Sequence, residues 1–251
     1  MRRILKNLFC ALKKDGGTVI IMKNIVLKIN YFSKTEKILW ILSVLLISGT
    51  FLVFDRQNYL KLTASLIGVT ALIFIAKGNP IGQFLTIVFS IIYGIISYEC
   101  KYYGEMITYV GMTMPMAVFA LISWIRHPYQ GNRAEVEVNR LKKSEYCFLA
   151  VLSAIITVIF YVILKNIGTN NLAPSTVSVT TSFVAVYLTF RRSPNYALGY
   201  AANDIVLIIL WTLAVAEDIS YISVLVCFIA FFASDLYGFV NWKRMEKKQA
   251  G

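Results

Sequence analysis

Eight long apolar segments, separated by short polar stretches, dominate this chain and decide what it can fold into. A helix needs about 20 apolar residues to cross the hydrocarbon core of a bilayer. Because lipid offers the backbone no hydrogen-bond partners, such unalternating segments predict helices rather than the strands of a barrel. The segments lie at residues 38–54, 60–76, 80–98, 103–124, 146–164, 174–190, 196–215 and 219–241.

The composition agrees with a protein embedded in lipid. Hydrophobic residues make up 58% of the chain, charged residues only 15%, and the mean hydropathy is +0.66. The apolar share of a soluble domain is nearer to half. We therefore expect an all-α polytopic membrane protein with about eight transmembrane helices, in contact with the lipid bilayer.

Positive charges are distributed unevenly between the two ends of the predicted helices. The chain carries 25 lysines and arginines and a net charge of +12. If the N-terminus lies in the cytoplasm, the outer side receives only Arg56, Lys61, Lys101 and Lys165. Because cytoplasmic loops retain Lys and Arg, this bias predicts a multi-pass protein of the cytoplasmic membrane with both termini inside. The basic charge thus indicates an anionic leaflet, and no nucleic acid, as its partner.

Both ends of the chain are predicted to be cytoplasmic segments. Residues 1–37 form a basic N-terminal segment that lacks the apolar centre of a signal peptide. A second basic start at Met22 leaves open which methionine begins the native protein. Residues 38–54 form an extra N-terminal helix, residues 127–145 a cytoplasmic loop, and residues 245–251 a short tail.

Two parts of the chain match when the sequence is shifted by 118 residues. The matched pairs are Glu99 and Glu217, Tyr103 and Tyr221, Tyr93 and Trp211, and Trp124 and Trp242. They indicate two parallel three-helix repeats, residues 60–126 and 177–244, with a linker helix at 146–164. Such an architecture is typical of small-solute carriers, whose binding site lies between the repeats near the middle of the membrane.

Asp204 lies near the middle of the seventh apolar segment. On a helix, Tyr200, Asp204 and Trp211 share one face, and Asn203 is adjacent. Such a face suits a small aromatic, polyhydroxylated or cationic solute, because rings stack on Trp or Tyr and a carboxylate attracts cations. The alternative is that Asp204 only bonds a neighbouring helix. We favour a binding role, because acids at mid-membrane rarely lack a function.

Further polar residues extend the candidate site. Tyr93 and Gln83 in the first repeat, and Tyr237 in the last helix, are candidate binding residues, while Asn241 is a candidate gate residue. Asp235 is expected at a different depth from Asp204, where it either belongs to the site or pairs with Lys243 or Arg191 in a gate.

Three other features concern the pathway, the membrane surface and the shape of one helix. Ser178 and Ser182 belong to a hydroxyl stripe that either lines the pathway or packs helices together. Glu105, at the outer end of the fourth segment, is expected to reach water by snorkelling. Pro115 is expected to kink its helix.

Four runs of this chain resemble PnuC-type nicotinamide riboside transporters of Gram-positive bacteria, over roughly residues 35–245. The runs are GNPIGQFLTIVFSIIYG, KYYGEMITYVGM, HPYQGNRAEVEVNRL, and RRSPNYALGYAANDIVLIILW with DLYGFVNW. In the last run the family pattern falls on Asn195, Tyr196, Asp204, Trp211, Tyr237, Gly238 and Trp242. The resemblance thus adds Asn195 and Tyr196 to the candidate binding residues.

The resemblance implies a SWEET-like fold and a homotrimer that passes nicotinamide riboside by facilitated diffusion. Phosphorylation by a cytoplasmic kinase would then trap the solute as a precursor of NAD. The chain departs from better-known relatives in the run FALISWIRHP, where it keeps only Trp124 of a Tyr-Gly-Trp cluster. Thiamine, riboflavin and deoxynucleosides, carried by relatives with this fold, therefore stay open as substrates.

An intramembrane enzyme and a passive channel are the competing functions. Asp204 and Asp235 would have to form an acid pair for the first, and no HExxH, GxSxG or nucleotide-binding motif accompanies them. With one histidine and four scattered cysteines, we expect neither a metal nor a cofactor.

Overall fold

The computed structural model describes residues 31–169 and 171–251. Most of the predicted basic N-terminal segment, including Met22, lies outside the described residues. The chain divides into a unit that ends at Ile38 and a unit that begins at Leu39. In the first, Ser33 and Glu36 exchange side-chain to backbone hydrogen bonds of 2.7 and 3.2 Å, a capping box that begins the first helix.

Eight helices in the described part of the chain are long and apolar enough to cross a membrane. They are α1 (Lys34–Phe54), α2 (Tyr59–Ala76), α3 (Ile81–Glu99), α4 (Tyr103–Arg126), α5 (Lys143–Asn166), α6 (Leu172–Phe190), α7 (Tyr196–Glu217) and α8 (Ile222–Lys248). A 3₁₀ turn, Ile219–Tyr221, precedes α8. The predicted all-α polytopic fold is confirmed. The largest difference is at α8, which continues past residue 241 because its polar last turns still bury Trp242 and Met245.

Six of the helices form a closed ring. In order around the ring, neighbours pack as α2, α3, α4, α6, α7 and α8, and α8 packs back onto α2. Helix α5 lies outside the ring against α6. On α1, the indole Nε1 of Trp40 donates to the hydroxyl of Thr70 on α2 at 3.1 Å. The interior of the ring is therefore lined by helices from both predicted three-helix sets.

A small hairpin lies in the loop between α4 and α5. Its strands are β1 (Pro128–Tyr129) and β2 (Asn132–Val136), and they pair antiparallel. Gln130 and Gly131 between them both have positive φ, as tight hairpin turns require. The hairpin is tied to the bundle because the Val136 amide donates to the Gly78 carbonyl at 3.0 Å. We call this end of the bundle the loop end.

Helix α4 changes its hydrogen-bond pattern before Pro115. Residues Tyr103–Met106 are α-helical, Ile107–Thr113 form a π-helix, and Met114–Arg126 return to an α-helix. Pro115 has no N–H, and the preceding Met114 amide bonds the Tyr109 carbonyl, five residues back. Such backbone is tolerated at membrane depth because it is covered by protein, and Thr108 and Tyr109 in this stretch are buried.

Helices α6 and α7 approach closely through small residues. A Cβ added at Gly199 would lie 2.9 Å from the Ala185 Cα, so only glycine fits at this crossing. Small residues at such contacts let helices in lipid gain packing energy and hold α7 in a defined position. The polar side chains of α7 are thereby fixed relative to those of α6.

Candidate functional site

Asp204 on α7 and Asp235 on α8 lie together inside the ring. Their side chains lie within reach of each other, and each residue is only 3% exposed. The expectation that they lie at different depths is therefore wrong. It assumed that α8 ends near residue 241, whereas α8 runs on to Lys248, so Asp235 lies at its midpoint.

A hydrogen bond between two carboxyl groups requires a proton on one of them, because an ionised carboxylate only accepts. Two carboxyl groups this close together in a buried site cannot both ionise without a large electrostatic cost, which favours a proton shared between them. Oδ2 of Asp204 is buried and accepts no hydrogen bond from a donor among the described residues.

Asp235 does not form either of the ion pairs considered from the sequence. Lys243 pairs with Glu246 at 3.1 Å, and Arg191 pairs with Glu145. Both cations lie near the loop end, Lys243 on α8 and Arg191 at the end of α6, and their carboxylate partners lie close to the surface there. The predicted gate pairing of Asp235 is therefore wrong.

Asn203 joins α7 to the hydroxyl stripe of α6. Its carbonyl oxygen accepts hydrogen bonds from Ser178 at 3.1 Å, from Thr181 at 2.9 Å and from Ser182 at 3.0 Å. Because the Thr181 hydroxyl also reaches the Val177 and Ser178 carbonyls, Ser178 and Ser182 are the two donors that hold the side-chain amide in a single orientation. Ser178 and Ser182 thus position Asn203, directly beside Asp204.

Glu105 on α4 is the main residue that sequence reasoning missed. It is fully buried, and both carboxylate oxygens lack a well-formed hydrogen bond among the described residues. The Ser178 hydroxyl lies near it, but that hydrogen is donated to Asn203. A buried carboxylate without partners is costly, which marks Glu105 as a functional candidate.

The burial of Glu105 follows from the chain that covers the first turn of α4. The Gly104 amide donates to the Thr169 hydroxyl at 3.3 Å, and an added Cβ at Gly104 would meet Ser175 at 3.0 Å. The segment between α5 and α6 therefore closes over the end of α4. The expectation that Glu105 snorkels to water is wrong for this reason. The sequence feature that could have indicated its burial is the adjacent Gly104, whose missing Cβ allows the close approach.

Aromatic side chains pack on the side of the polar residues away from the loop end. The Trp211 indole Nε1 donates to the Tyr93 hydroxyl at 2.8 Å, and both side chains are buried. The Tyr93 ring contacts Tyr109 at 4.4 Å, and Trp211 contacts Tyr102 at 5.4 Å between ring centroids. The structure thus brings Trp211 and Tyr93, from opposite predicted repeats, into one layer.

A second aromatic layer lies toward the loop end. Trp242 contacts Tyr196 at 5.0 Å and Trp124 at 5.4 Å between ring centroids. The Trp242 indole donates to the Ile75 carbonyl at 2.8 Å, and the Trp124 indole donates to the Thr189 carbonyl at 3.0 Å. Ile75 and Thr189 are the penultimate residues of α2 and α6, so each tryptophan caps a helix of the other set.

The remaining candidates divide between the site and the helix ends. Tyr200 contacts Tyr196 at 6.1 Å between ring centroids, and Gln83 is buried with its Nε2 unpartnered among the described residues. Tyr237 is half-buried on α8. Two asparagines instead hold helix ends at the loop end: Asn195 donates to the Tyr146 hydroxyl and Asn241 to the Ala76 carbonyl, both at 2.7 Å.

Comparisons with known proteins agree with this architecture. The model of a family described as nicotinamide mononucleotide transporter matches residues 58–244. The chain is 25% identical over 217 residues to the nicotinamide riboside transporter PnuC of Neisseria mucosa, covering 84% of this chain and 82% of that protein. It is also similar to the crystal structure of the vitamin B3 transporter PnuC, with a TM-score of 0.77 and 21% identity over 87% of this chain and 94% of that one. The last likeness concerns the fold.

Proposed function

Because the chain belongs to the nicotinamide mononucleotide transporter family, we propose that it carries nicotinamide riboside across the bacterial cytoplasmic membrane. The family is one of transporters rather than enzymes, and the chain is a multi-pass membrane protein. The choice of solute rests on the curated relative, whose name is that of a nicotinamide riboside transporter. The observation that carries the proposal is a buried polar layer between two aromatic layers inside the helix ring.

The chemistry of nicotinamide riboside suits the residues of this layer. Its pyridinium ring is aromatic and positively charged, so it gains from the face of Trp211 and from the negative charge held by Asp204 and Asp235. Its carboxamide and ribose hydroxyls need donors and acceptors, which Asn203 and Gln83 provide. In our proposal Glu105 adds a second acidic group for the cation.

Transport in this proposal is facilitated diffusion between two orientations of the helix ring. The sets at residues 60–126 and 177–244 act as the repeats, residues 146–164 act as the linker, and the protein works as a homotrimer. The loop end faces the cytoplasm, where phosphorylation traps the solute. The π-helical part of α4 is the element that adjusts, since π-helical turns within α-helices occur frequently at functional sites.

Ligand-dependent thermal unfolding of the purified protein tests the substrate. Nicotinamide riboside is expected to raise the unfolding temperature in a saturable manner, because a ligand that binds only the folded state stabilises it. Thiamine, riboflavin and deoxynucleosides serve as matched competitors. A shift with thiamine or a deoxynucleoside, and none with nicotinamide riboside, would overturn the choice of substrate.

A further inference from the structure

A basic pocket at the loop end lies apart from the polar layer. It has a volume of about 380 Å³ and is bordered by the end of α4, the end of α6 and the stretch that follows β2. Its polar lining is formed by Ser123, Arg126, His127, Asn139, Arg191 and Arg192. Within the described residues, no carboxylate lines this pocket.

The arginines of the pocket have unused hydrogen-bond capacity. Arg192 has Nε and Nη1 buried without a partner among the described residues, and Nε of Arg191 is in the same state. Arg191 is paired with Glu145, but within the described chain Arg126 and Arg192 form no ion pair. Burial lowers the pKa of Arg192, with Glu137 acting weakly against that effect. A bound anion would compensate the burial of this charge.

The backbone at Arg192 adopts a conformation that glycine would adopt without strain. The C-cap of α2 is Lys77, followed by Gly78 at φ +68°, and the C-cap of α6 is Arg191, followed by Arg192 at φ +57°. The left-handed conformation is strained for any residue with a Cβ and usually falls to glycine at a helix end. The chain thus uses glycine at one helix end and accepts strain to place an arginine at the other.

Stabilisation of the helix dipole does not explain this arginine. Cations at a helix C-terminus are favourable, and Lys77 and Arg191 already serve in that role at the two helix ends. Arg192 adds a further positive charge, which is repelled by the neighbouring charge of Arg191. Asn139 fixes the segment, because its side chain donates to the Arg191 carbonyl and its backbone amide to the Arg192 carbonyl, each at 3.0 Å.

We propose that this pocket, built around Arg126, Arg191 and Arg192, binds a phosphate group. Guanidinium groups match phosphate oxygens in pairs of parallel hydrogen bonds, and Arg126 and Arg192, which form no ion pair within the described chain, supply two positive charges for one phosphate. The apolar part of the lining, Phe119, Ile122 and Phe190, continues into the lipid-facing side of α4, where Phe119 is 54% exposed. The phosphate therefore belongs to an anionic phospholipid headgroup or to a soluble phosphate compound at the membrane surface.

Substitution of Arg192 by glycine tests the pocket without risking the fold. Arg192→Gly relieves the backbone strain, so the protein is expected to fold at least as well, while phosphate binding falls by about tenfold as charge-assisted hydrogen bonds are lost. Arg126→Gln, at an exposed position, is expected to weaken binding in the same direction. Arg133→Gln removes an exposed charge from the nearby hairpin and serves as the matched control.

Two probes distinguish the sources of the phosphate. Native mass spectrometry measures retention of phosphatidylglycerol against phosphatidylcholine, and thermal unfolding in detergent measures the effect of inorganic phosphate against chloride at equal ionic strength. Preferential retention of phosphatidylglycerol, lost in Arg192→Gly, supports a lipid; stabilisation by phosphate alone, lost in Arg192→Gly, supports a soluble compound. If neither probe binds preferentially, or if Arg133→Gln has the same effect as Arg192→Gly, the proposal is overturned.

Discussion

A proton shared by Asp204 and Asp235 would make these two neighbouring residues act as one group with a single negative charge. Removing either side chain would leave the other buried and unpaired, at a cost of several kcal/mol. Amide substitutions avoid this cost, because an asparagine can donate to the remaining carboxylate. The two positions differ in one respect, which is the unpartnered Oδ2 of Asp204.

Asp204→Asn is expected to weaken nicotinamide riboside binding by about tenfold, since a carboxylate oxygen facing the cation becomes a neutral amide oxygen. Asp235→Asn keeps the charge on Asp204 and is expected to change the affinity less than threefold. Isothermal titration of the purified variants measures both constants. Equal affinities for the two variants would contradict the assignment of Asp204 as the residue that meets the solute.

Glu105→Gln is expected to raise the thermal stability of the ligand-free protein and to slow uptake of nicotinamide riboside. The neutral glutamine removes the free-energy cost of burying a carboxylate without partners. The same change removes an acidic group from the proposed cation site. Unfolding temperature and uptake rate are measured on one preparation. A gain in stability with unchanged uptake would reduce Glu105 to a residue without a role in binding.

The site residues lie on helices, so predicting the site requires predicting where each helix begins and ends and which of its residues are buried. Some of these features follow from the local sequence, and others do not. The apolar segments predicted eight helices because the requirement to span lipid is local. The end of α8 was missed because its last turns are polar and bury only Trp242 and Met245. That error misplaced Asp235. Glu105 was misplaced because its burial depends on the segment around Thr169, a tertiary contact that no local pattern reports.

Gly199→Ala tests the crossing of α6 and α7 that positions Asn203. The added methyl group would lie 2.9 Å from the Ala185 Cα, so the helices must separate. Such overpacking costs about 1–3 kcal/mol of unfolding free energy, and the unfolding temperature is expected to fall. Gly49→Ala on α1 meets nothing within 4 Å and serves as the control, with no loss of stability expected. Equal stability of both variants would contradict the close approach.

Six helices of the unit that begins at Leu39 form a ring with reciprocal contacts between the two predicted three-helix sets. Trp124 of one set caps the end of α6, and Trp242 of the other caps the end of α2. The pairs Trp124 with Trp242 and Tyr93 with Trp211, matched in the sequence comparison, are also in contact. The sequence shift thus indicated which residues correspond, but their contact depends on how the ring closes.

The orientation of the whole molecule is predicted from its charges and is tested by labelling. In a background with Cys10, Cys100, Cys147 and Cys227 replaced, Arg133→Cys on the hairpin is expected to be protected from an impermeant maleimide in intact cells. Arg56→Cys, between α1 and α2, is expected to react. Both positions are exposed, so accessibility from one side decides the outcome. The reverse pattern would place the loop end outside the cell.

Counterflow of labelled nicotinamide riboside into proteoliposomes preloaded with the unlabelled compound tests the transport proposal most directly. The wild-type protein is expected to accumulate label transiently and saturably, with Asp235→Asn near the wild type and Asp204→Asn strongly reduced. Empty liposomes provide the baseline. Label entry at the rate of empty liposomes, or entry through the wild-type protein that never saturates, would contradict a carrier for this solute.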